Sequence, residues 1–456
     1  MLDTNAKWIS TLLKTAILAM ASVLVLQGCT KEKIIYRDMV RPGKITKLSP
    51  VNGDTLTAGP PVLIWSSQQG AVEYQVQVND LTDFYAPTYD IATTDTFVVL
   101  PDSTGDNRYY WRVRAMNADD LWGDWSDESI WNFLLDAVQS PVRLVGMIQT
   151  YGYAQDVTVV NERNRAYVAD GQAELTVVDI TDKSNPSLVG NLNIGLSHDF
   201  TKAVFVAPGD SFAYVADMDG RIQIFSMKEP LLNPDNYVAT FGSERNMEEV
   251  VGRIINDTLY ILGVSTTFNN RQVLFYQVPY NPLPDPTAGV IINATLMYAD
   301  CNGLDFSADS NYLAIANDEL GLQMIDITDI LNPSPAAVGS VDFAGSALSV
   351  QVRGNYAYLA ADWTGLWIVD ISTPTNPVIV ANFETTGRSK DVALADSFAF
   401  IADGGDGLKV ANIANVTAPQ FVAAYTTPYA YGIWADENYV YLADRDWGLL
   451  IFERID

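Results

Sequence analysis

The chain has 456 residues, 48% of them hydrophobic and 18% charged, with 10 Trp, 23 Tyr and 17 Phe and a net charge of -28. That length suffices for two or three domains, and so aromatic a composition builds packed, β-leaning cores rather than a disordered chain. The acidic balance repels phosphate backbones and argues against nucleic acid as a partner; two Cys and one His rule out zinc sites built mainly from those residues.

The N-terminus is a targeting segment. Lys7 and Lys14 precede an apolar run, Thr15 to Leu26, too short to span a bilayer comfortably as a mature helix. It ends in Leu26-Gln27-Gly28-Cys29, which resembles the bacterial lipobox. The resemblance implies a signal peptide over 1–28 and acylation of Cys29, with outer membrane favoured over inner because Thr30 rather than Asp follows. Several acyl chains on one Cys hold a bilayer durably, since each buried methylene adds about 0.8 kcal/mol. Residues 29–41 read as a tether. With Cys29 lipidated, Cys301 has no disulfide partner within the mature chain and reads as a buried packing thiol.

Residues 42–136 read as a β-sandwich. Tyr74, Val76 and Val78 alternate with Gln75 and Gln77, and Tyr109, Trp111, Val113 and Ala115 alternate with Tyr110, Arg112 and Arg114, each the period of a half-buried strand. Pro60-Pro61 and 102–106 supply turns. With Trp65 in an early strand and Trp122-Gly123-Asp124-Trp125-Ser126 near the end, the set resembles a fibronectin type III domain. That likeness implies Arg112 and Arg114 stacked on Trp122 and Trp125, and a spacer rather than a ligand-binding role.

Residues 140–456 are repetitive. Tyr167-Val168-Ala169-Asp170 recurs as Tyr214–Asp217, Tyr358–Asp362, Phe400–Asp403 and Tyr441–Asp444, with degenerate copies at Tyr260–Gly263 and Ala314–Asn317. The starts at 167, 214, 260, 314, 358, 400 and 441 have the period of a four-stranded propeller blade. Each copy has a grammar: an alternating strand such as Asp156-Val157-Thr158-Val159 or Asp391-Val392-Ala393-Leu394, the Tyr-Val-Ala-Asp strand, a turn often ending in Gly, a strand ending like Val369-Asp370-Ile371, then Asn-Pro. An outer strand closing in Val-Gly follows. These residues resemble the LVIVD-repeat family of bacterial surface and secreted proteins across seven copies, most clearly in copies one, four, five and six. That family implies a propeller and an envelope address but no chemistry. The last copy stops after its third strand, and Pro141–Gly146 stands alone before the first. Placing that piece in the last blade closes a seven-bladed ring without an open edge. The expected fold is therefore all-β, a fibronectin type III-like sandwich followed by a seven-bladed propeller.

In such a ring the loops between second and third strands and between blades share one face. That face would carry Asp170, Asp217, Asp318, Asp362, Asp403 and Asp444, with Tyr151, Tyr153, Arg245, Arg388, Lys390, Tyr429 and Tyr431. Aromatic rings beside carboxylates suit a sugar or an extended peptide, although each repeated Asp is also an ordinary turn former. No cofactor is expected. Calcium is weighed only at the turns holding Asp217 and Asp219 and Asp403 and Asp406, whose closely spaced oxygens are of the kind it takes. His198, with Asp199 beside it, makes no recognisable triad, and there is no P-loop. The expectation is a non-enzymatic envelope binding or scaffold lipoprotein whose partners are the membrane, through its anchor, and a protein or glycan. The alternatives are a carbohydrate-active hydrolase using propeller carboxylates and an accessory subunit of an outer-membrane assembly or transport complex.

Overall fold

A computed structural model describes residues 41–455 apart from 51–54, 57–60, 82–83, 102–106, 127–128, 134–140, 193–199, 208–210, 219–220, 229–235, 243–246, 267–270, 280–289 and 297–299. The expected signal, Cys29, and all of the expected tether but Arg41 lie outside the described residues, as do His198, Asp199, Asp219 and Arg245. The regular elements among the described residues are all strands, apart from one 3-10 turn at Asn161–Arg163, and no described helix is long and apolar enough to cross a membrane.

The first unit is two facing sheets. One has three strands, Lys47–Ser49, Val62–Trp65 and Phe97–Val99; the other has five, with Ala71–Asn79 and Asn107–Asn117 at its centre. Their inner faces enclose Leu63, Trp65, Tyr74, Val76, Trp111 and Val113. On the outer face of the larger sheet Arg112 lies between Phe84 and Trp125, 4.4 and 4.3 Å from the ring centroids, and Arg114 between Trp125 and Trp122, at 4.4 and 4.6 Å. Gln77 Oε1 accepts from Arg112 Nε and Nη2, and Gln75 Oε1 from Arg114 Nε and Nη2. The expected Arg–Trp stack is thus present, locked at each guanidinium by a glutamine.

Among the described residues the repeats form seven four-stranded antiparallel sheets. Six are contiguous in sequence, spanning 156–192, 201–242, 247–296, 303–341, 349–383 and 391–425; the seventh combines 430–454 with the strand Val142–Ile148. That strand pairs antiparallel with Gly448–Arg454, from Leu449↔Ile148 to Arg454↔Val142, so the lone N-terminal piece does complete the last sheet. The first strands of successive sheets lie side by side, and the seventh returns to the first, so the sheets form a ring. Between them pack apolar layers such as Tyr358, Ile368, Val392 and Ile401 between the fifth and sixth sheets.

The glycine of the outer strand has a steric cause. In five sheets the third and fourth strands shift register where the fourth carries Gly or Ala, at Gly190, Ala239, Ala381, Ala423 and Gly146; in the fourth sheet Gly339 stands opposite Met324 in regular pairing. A Cβ on Gly146 would lie 2.0 Å from the Lys183 carbonyl oxygen, and one on Gly339 2.1 Å from that of Pro374. Both carbonyls belong to the loop before the next sheet's outer strand, so Val-Gly is the place where that loop docks.

Pairing also corrects two assignments. Ser265 faces Met247 as Asp217 faces Thr201 and Asp444 faces Ala430, so the third copy of the motif is Leu262–Ser265, two residues beyond Tyr260–Gly263. In the fifth sheet Ala360 faces Ser349 as Ala402 faces Asp391, which puts Ala361 at the repeated Asp position and Asp362 one residue on. Asp362 instead bridges to Ser389 as Gly171 does to Thr201, and like Asp318 it takes a positive φ, 42° against 41°.

Candidate functional site

All seven first strands begin at one end of the ring, and their opening residues enclose a cavity of about 200 Å³ on its axis. The same register position is Asp156, Ala203, Glu249, Gly303, Ser349, Asp391 and Gly432 in turn, paired with Ala169, Ala216, Val264, Ala316, Ala360, Ala402 and Ala443. Two glycines belong there because the neighbouring strand is close: a Cβ on Gly432 would stand 2.6 Å from the Asp156 Cα and one on Gly303 2.9 Å from the Ser349 Cα. Lys202, Glu248, Asn302, Lys390 and Tyr431 form the wall above this level.

The acids of this ring bind backbone. Asp156 accepts from its own strand at Val157 N (2.7 Å) and from the next sheet at Val204 N (2.9 Å). Asp391 accepts from Val392 N at 2.8 Å, Ile433 N at 2.9 Å and Ser349 Oγ at 2.5 Å. Deeper along the axis, Asp305 holds Phe306 N and Val352 N in the same way. A first strand has no sheet partner on its axial side, and these carboxylates satisfy the amides left there. Confinement in the cavity raises Asp156 to about 7, with the charge of Asp391 adding to the effect. Burial likewise lifts Glu249 well above the carboxylate range, helped by Asp156 and Asp391, and raises Asp391 despite its three donors.

Around the mouth lies a belt of aromatic and charged groups. Arg388 donates through Nε and Nη2 to Asp362 at 2.7 and 2.9 Å, Lys390 Nζ reaches the same carboxylate at 3.3 Å, and the guanidinium sits 4.9 Å from the Trp363 ring centroid. Partial burial pulls the Asp362 carboxyl upward, but Arg388 and Lys390 outweigh it and hold the group low. Tyr429 and Tyr431 are 4.9 Å apart, with Arg445 5.0 Å from the Tyr429 ring and paired to Asp446. Trp363 is 66% exposed, Tyr151 57% and Tyr153 46%.

The structure divides the expected site residues. Tyr151, Tyr153, Asp362, Tyr429 and Tyr431 stand on the loop face. Asp170, Asp217, Asp403 and Asp444 do not: each is fully buried. Asp170 accepts from Thr150 Oγ1, Thr176 Oγ1 and Gly152 N at 2.6, 2.6 and 2.9 Å. Asp403 accepts from Thr385 Oγ1, Ser389 Oγ and Gly387 N at 2.7, 2.8 and 2.9 Å. Asp217 holds Gln223 Nε2 and Asp444 holds Tyr429 N and Trp447 N. Asp170, Asp403 and Asp444 tie the loop between sheets to the second–third hairpin and Asp217 braces that hairpin, so all four lie inside the protein rather than before a ligand. Asp406 is spent on Thr386 and Lys409, and among the described residues no three His, Cys, Asp or Glu side chains gather at metal-binding spacing. Cys301 is buried against Asn317. The axial acids and Trp363 were not singled out from sequence; the signal was an acid opening the first strand, as in Asp156-Val157 and Asp391-Val392.

The LVIVD repeat model matches residues 151–194, 344–385, 386–427 and 429–452. These stretches correspond to the first, fifth, sixth and seventh sheets; copy four, expected among the clearest, lies outside them. A Cps50 (Swd1) β-propeller domain from Myceliophteria thermophila superposes with a TM-score of 0.53 at 8% identity, covering 69% of this chain and 99% of that one. The fold is a β-propeller. A chain of a mitotic checkpoint complex aligns with a TM-score of 0.49 at 13% identity, covering 71% of this chain and 98% of that one. No curated protein matches. At such identities the likeness is one of fold alone.

Proposed function

We propose that this chain is an envelope lipoprotein anchored at Cys29, in which a fibronectin type III-like sandwich carries a seven-bladed propeller that binds a protein or glycan without catalysis. The observation that carries the binding reading is the division of labour at the axis. Both oxygens of Asp156 and of Asp391 are occupied by protein donors, whereas Trp363, Tyr151 and Tyr153 are exposed on the rim. Exposed aromatic rings beside ion pairs are the composition of a recognition surface. Crosslinking in intact cells tests it: a Trp363→Ala/Tyr431→Ala variant should lose the partner captured by the parent chain while melting within about 2 °C of it. Undiminished capture would reject the rim as the binding surface. Incorporation of an alkyne-tagged fatty acid that vanishes in Cys29→Ala tests the anchor.

One observation favours a second reading, glycoside hydrolysis. Asp156, Glu249 and Asp391 share one cavity, with Asp156 raised to about 7, as a general acid in a glycosidase requires. Turnover of chromogenic glycosides abolished by Asp156→Asn or Glu249→Gln would select it over the first.

A further inference from the structure

The strand Val62–Trp65 is buried at every position. Leu63 and Trp65 point into the sandwich with Val98. Val62 and Ile64, on the opposite face, join a different cluster: Val142, Leu144 and Met147 of the closing strand and the apolar layer between the sixth and seventh sheets. Phe97 and Val99, from the neighbouring sandwich strand, pack against the same cluster. Beside this contact a cavity of about 260 Å³ is walled by Thr94–Phe97, by Met147–Gln149 and by Ser184–Pro186 of the first sheet's loop. The sandwich therefore meets the propeller where the first, sixth and seventh sheets converge, at the one sheet that, among the described residues of the ring, joins distant parts of the chain.

That join is the costly one to keep closed. Arg143 and its ion-pair partner Glu453 are 310 residues apart, while the other six sheets of the ring pair strands that are neighbours in sequence. Local hairpins re-form quickly after opening; a strand held only across a long loop must be brought back. Its own fastening is a short run of paired residues ending at Arg454↔Val142.

We propose that the sandwich is the latch of the ring: its outward face, Val62, Ile64, Phe97 and Val99, fastens the closing strand Val142–Ile148 and keeps the propeller shut. The sandwich is then a fixed mount rather than a swinging spacer, and its release opens the seventh sheet first. This does not depend on what the propeller binds.

A protease site placed within 134–140 of the full chain tests the idea. After cutting, the two pieces should co-elute on gel filtration, and amides of 142–148 should exchange as slowly as in the uncut protein. In the cut Ile64→Asp/Phe97→Asp variant the pieces should separate and exchange in 142–148 should rise at least tenfold, with 303–341 unchanged. Near-UV dichroism of the released sandwich reports whether its Trp65–Trp111 core is intact, and Ile64→Ser serves if it is not. Separation of the cut parent protein would overturn the docking. Pieces of the variant that stay together would overturn the role of this face, and separation without faster exchange in 142–148 would overturn the latch.

Discussion

Gly146→Ala isolates the steric role of the Val-Gly pair. The added Cβ would stand 2.0 Å from the Lys183 carbonyl oxygen and 3.1 Å from Pro186 Cδ. No side-chain rotation relieves the first contact, because the obstructing atom is backbone; strand and loop must part by about 1 Å, and such overpacking costs about 1–3 kcal/mol or more. Against this, Ala loses less chain entropy on folding, a gain of about 0.4–1 kcal/mol. The steric term wins, leaving a net loss of about 1–2 kcal/mol and, for a unit of this size, a melting temperature lower by roughly 2–3 °C. Gly43→Ala is the control, since the nearest atoms to its Cβ are 3.8 Å away; it should be neutral or slightly stabilising. Thermal unfolding followed by near-UV dichroism reads both. If Gly146→Ala melts at or above the parent temperature, close loop docking is not why the outer strand carries glycine. Gly339→Ala, facing Pro374 at 2.1 Å, should behave like Gly146→Ala.

Asp170→Ala orphans two hydroxyls and an amide and should cost about 3 kcal/mol or more by urea unfolding. Asp362 is itself buried at 7% exposure, but its partner Arg388 has an exposed head that water can re-solvate, so Asp362→Ala should cost about 1–2 kcal/mol, less than Asp170→Ala, yet change ligand capture; equal destabilisation would show that the two share a role. Arg112→Ala removes two cation–π contacts and the Gln77 bonds, a loss of about 1–2 kcal/mol that Lys, lacking the planar fork, should not restore; full rescue by Arg112→Lys would contradict the stacking account. Asp156 binds its proton more tightly folded than unfolded, so it adds stability at low pH that fades between about pH 4 and 7. Asp156→Asn cannot ionise, and its melting temperature relative to the parent should therefore climb from pH 4 to 8; a pH-independent difference would remove that burden from Asp156. Burial raises the Cys301 thiol, so Ellman's reagent should react with it only as fast as the protein unfolds, and immediate reaction would contradict its buried place.

The propeller was legible because its information is local. An alternating strand, a small-residue strand ending in Asp and a Gly turn lie within one window, and seven such windows repeat. Where the window lost its marker, register was lost with it. Ser265 stands where other copies have Asp, so the visible Tyr260 drew the third copy two residues short. The extra alanine in Ala360-Ala361-Asp362 hid which residue was the turn former, and only pairing of Ala360 with Ser349 decides it. The Asp positions were legible as repeats but not as buried. Nothing in Tyr-Val-Ala-Asp shows that Thr150 and Gly152, from the loop between sheets, will close over Asp170.

The axial cavity and the sandwich contact were harder for a different reason: each is assembled from residues far apart in the chain. Asp156 and Asp391 become neighbours only when the ring closes. The contact did leave one trace. A strand of four consecutive apolar residues, Val62-Leu63-Ile64-Trp65, has two faces to bury. In a two-sheet sandwich the opposite sheet covers only one face of each strand, occupied here by Leu63 and Trp65. The second face implied a further partner, and since Val62 and Ile64 join the closing strand, that partner is the propeller wall itself.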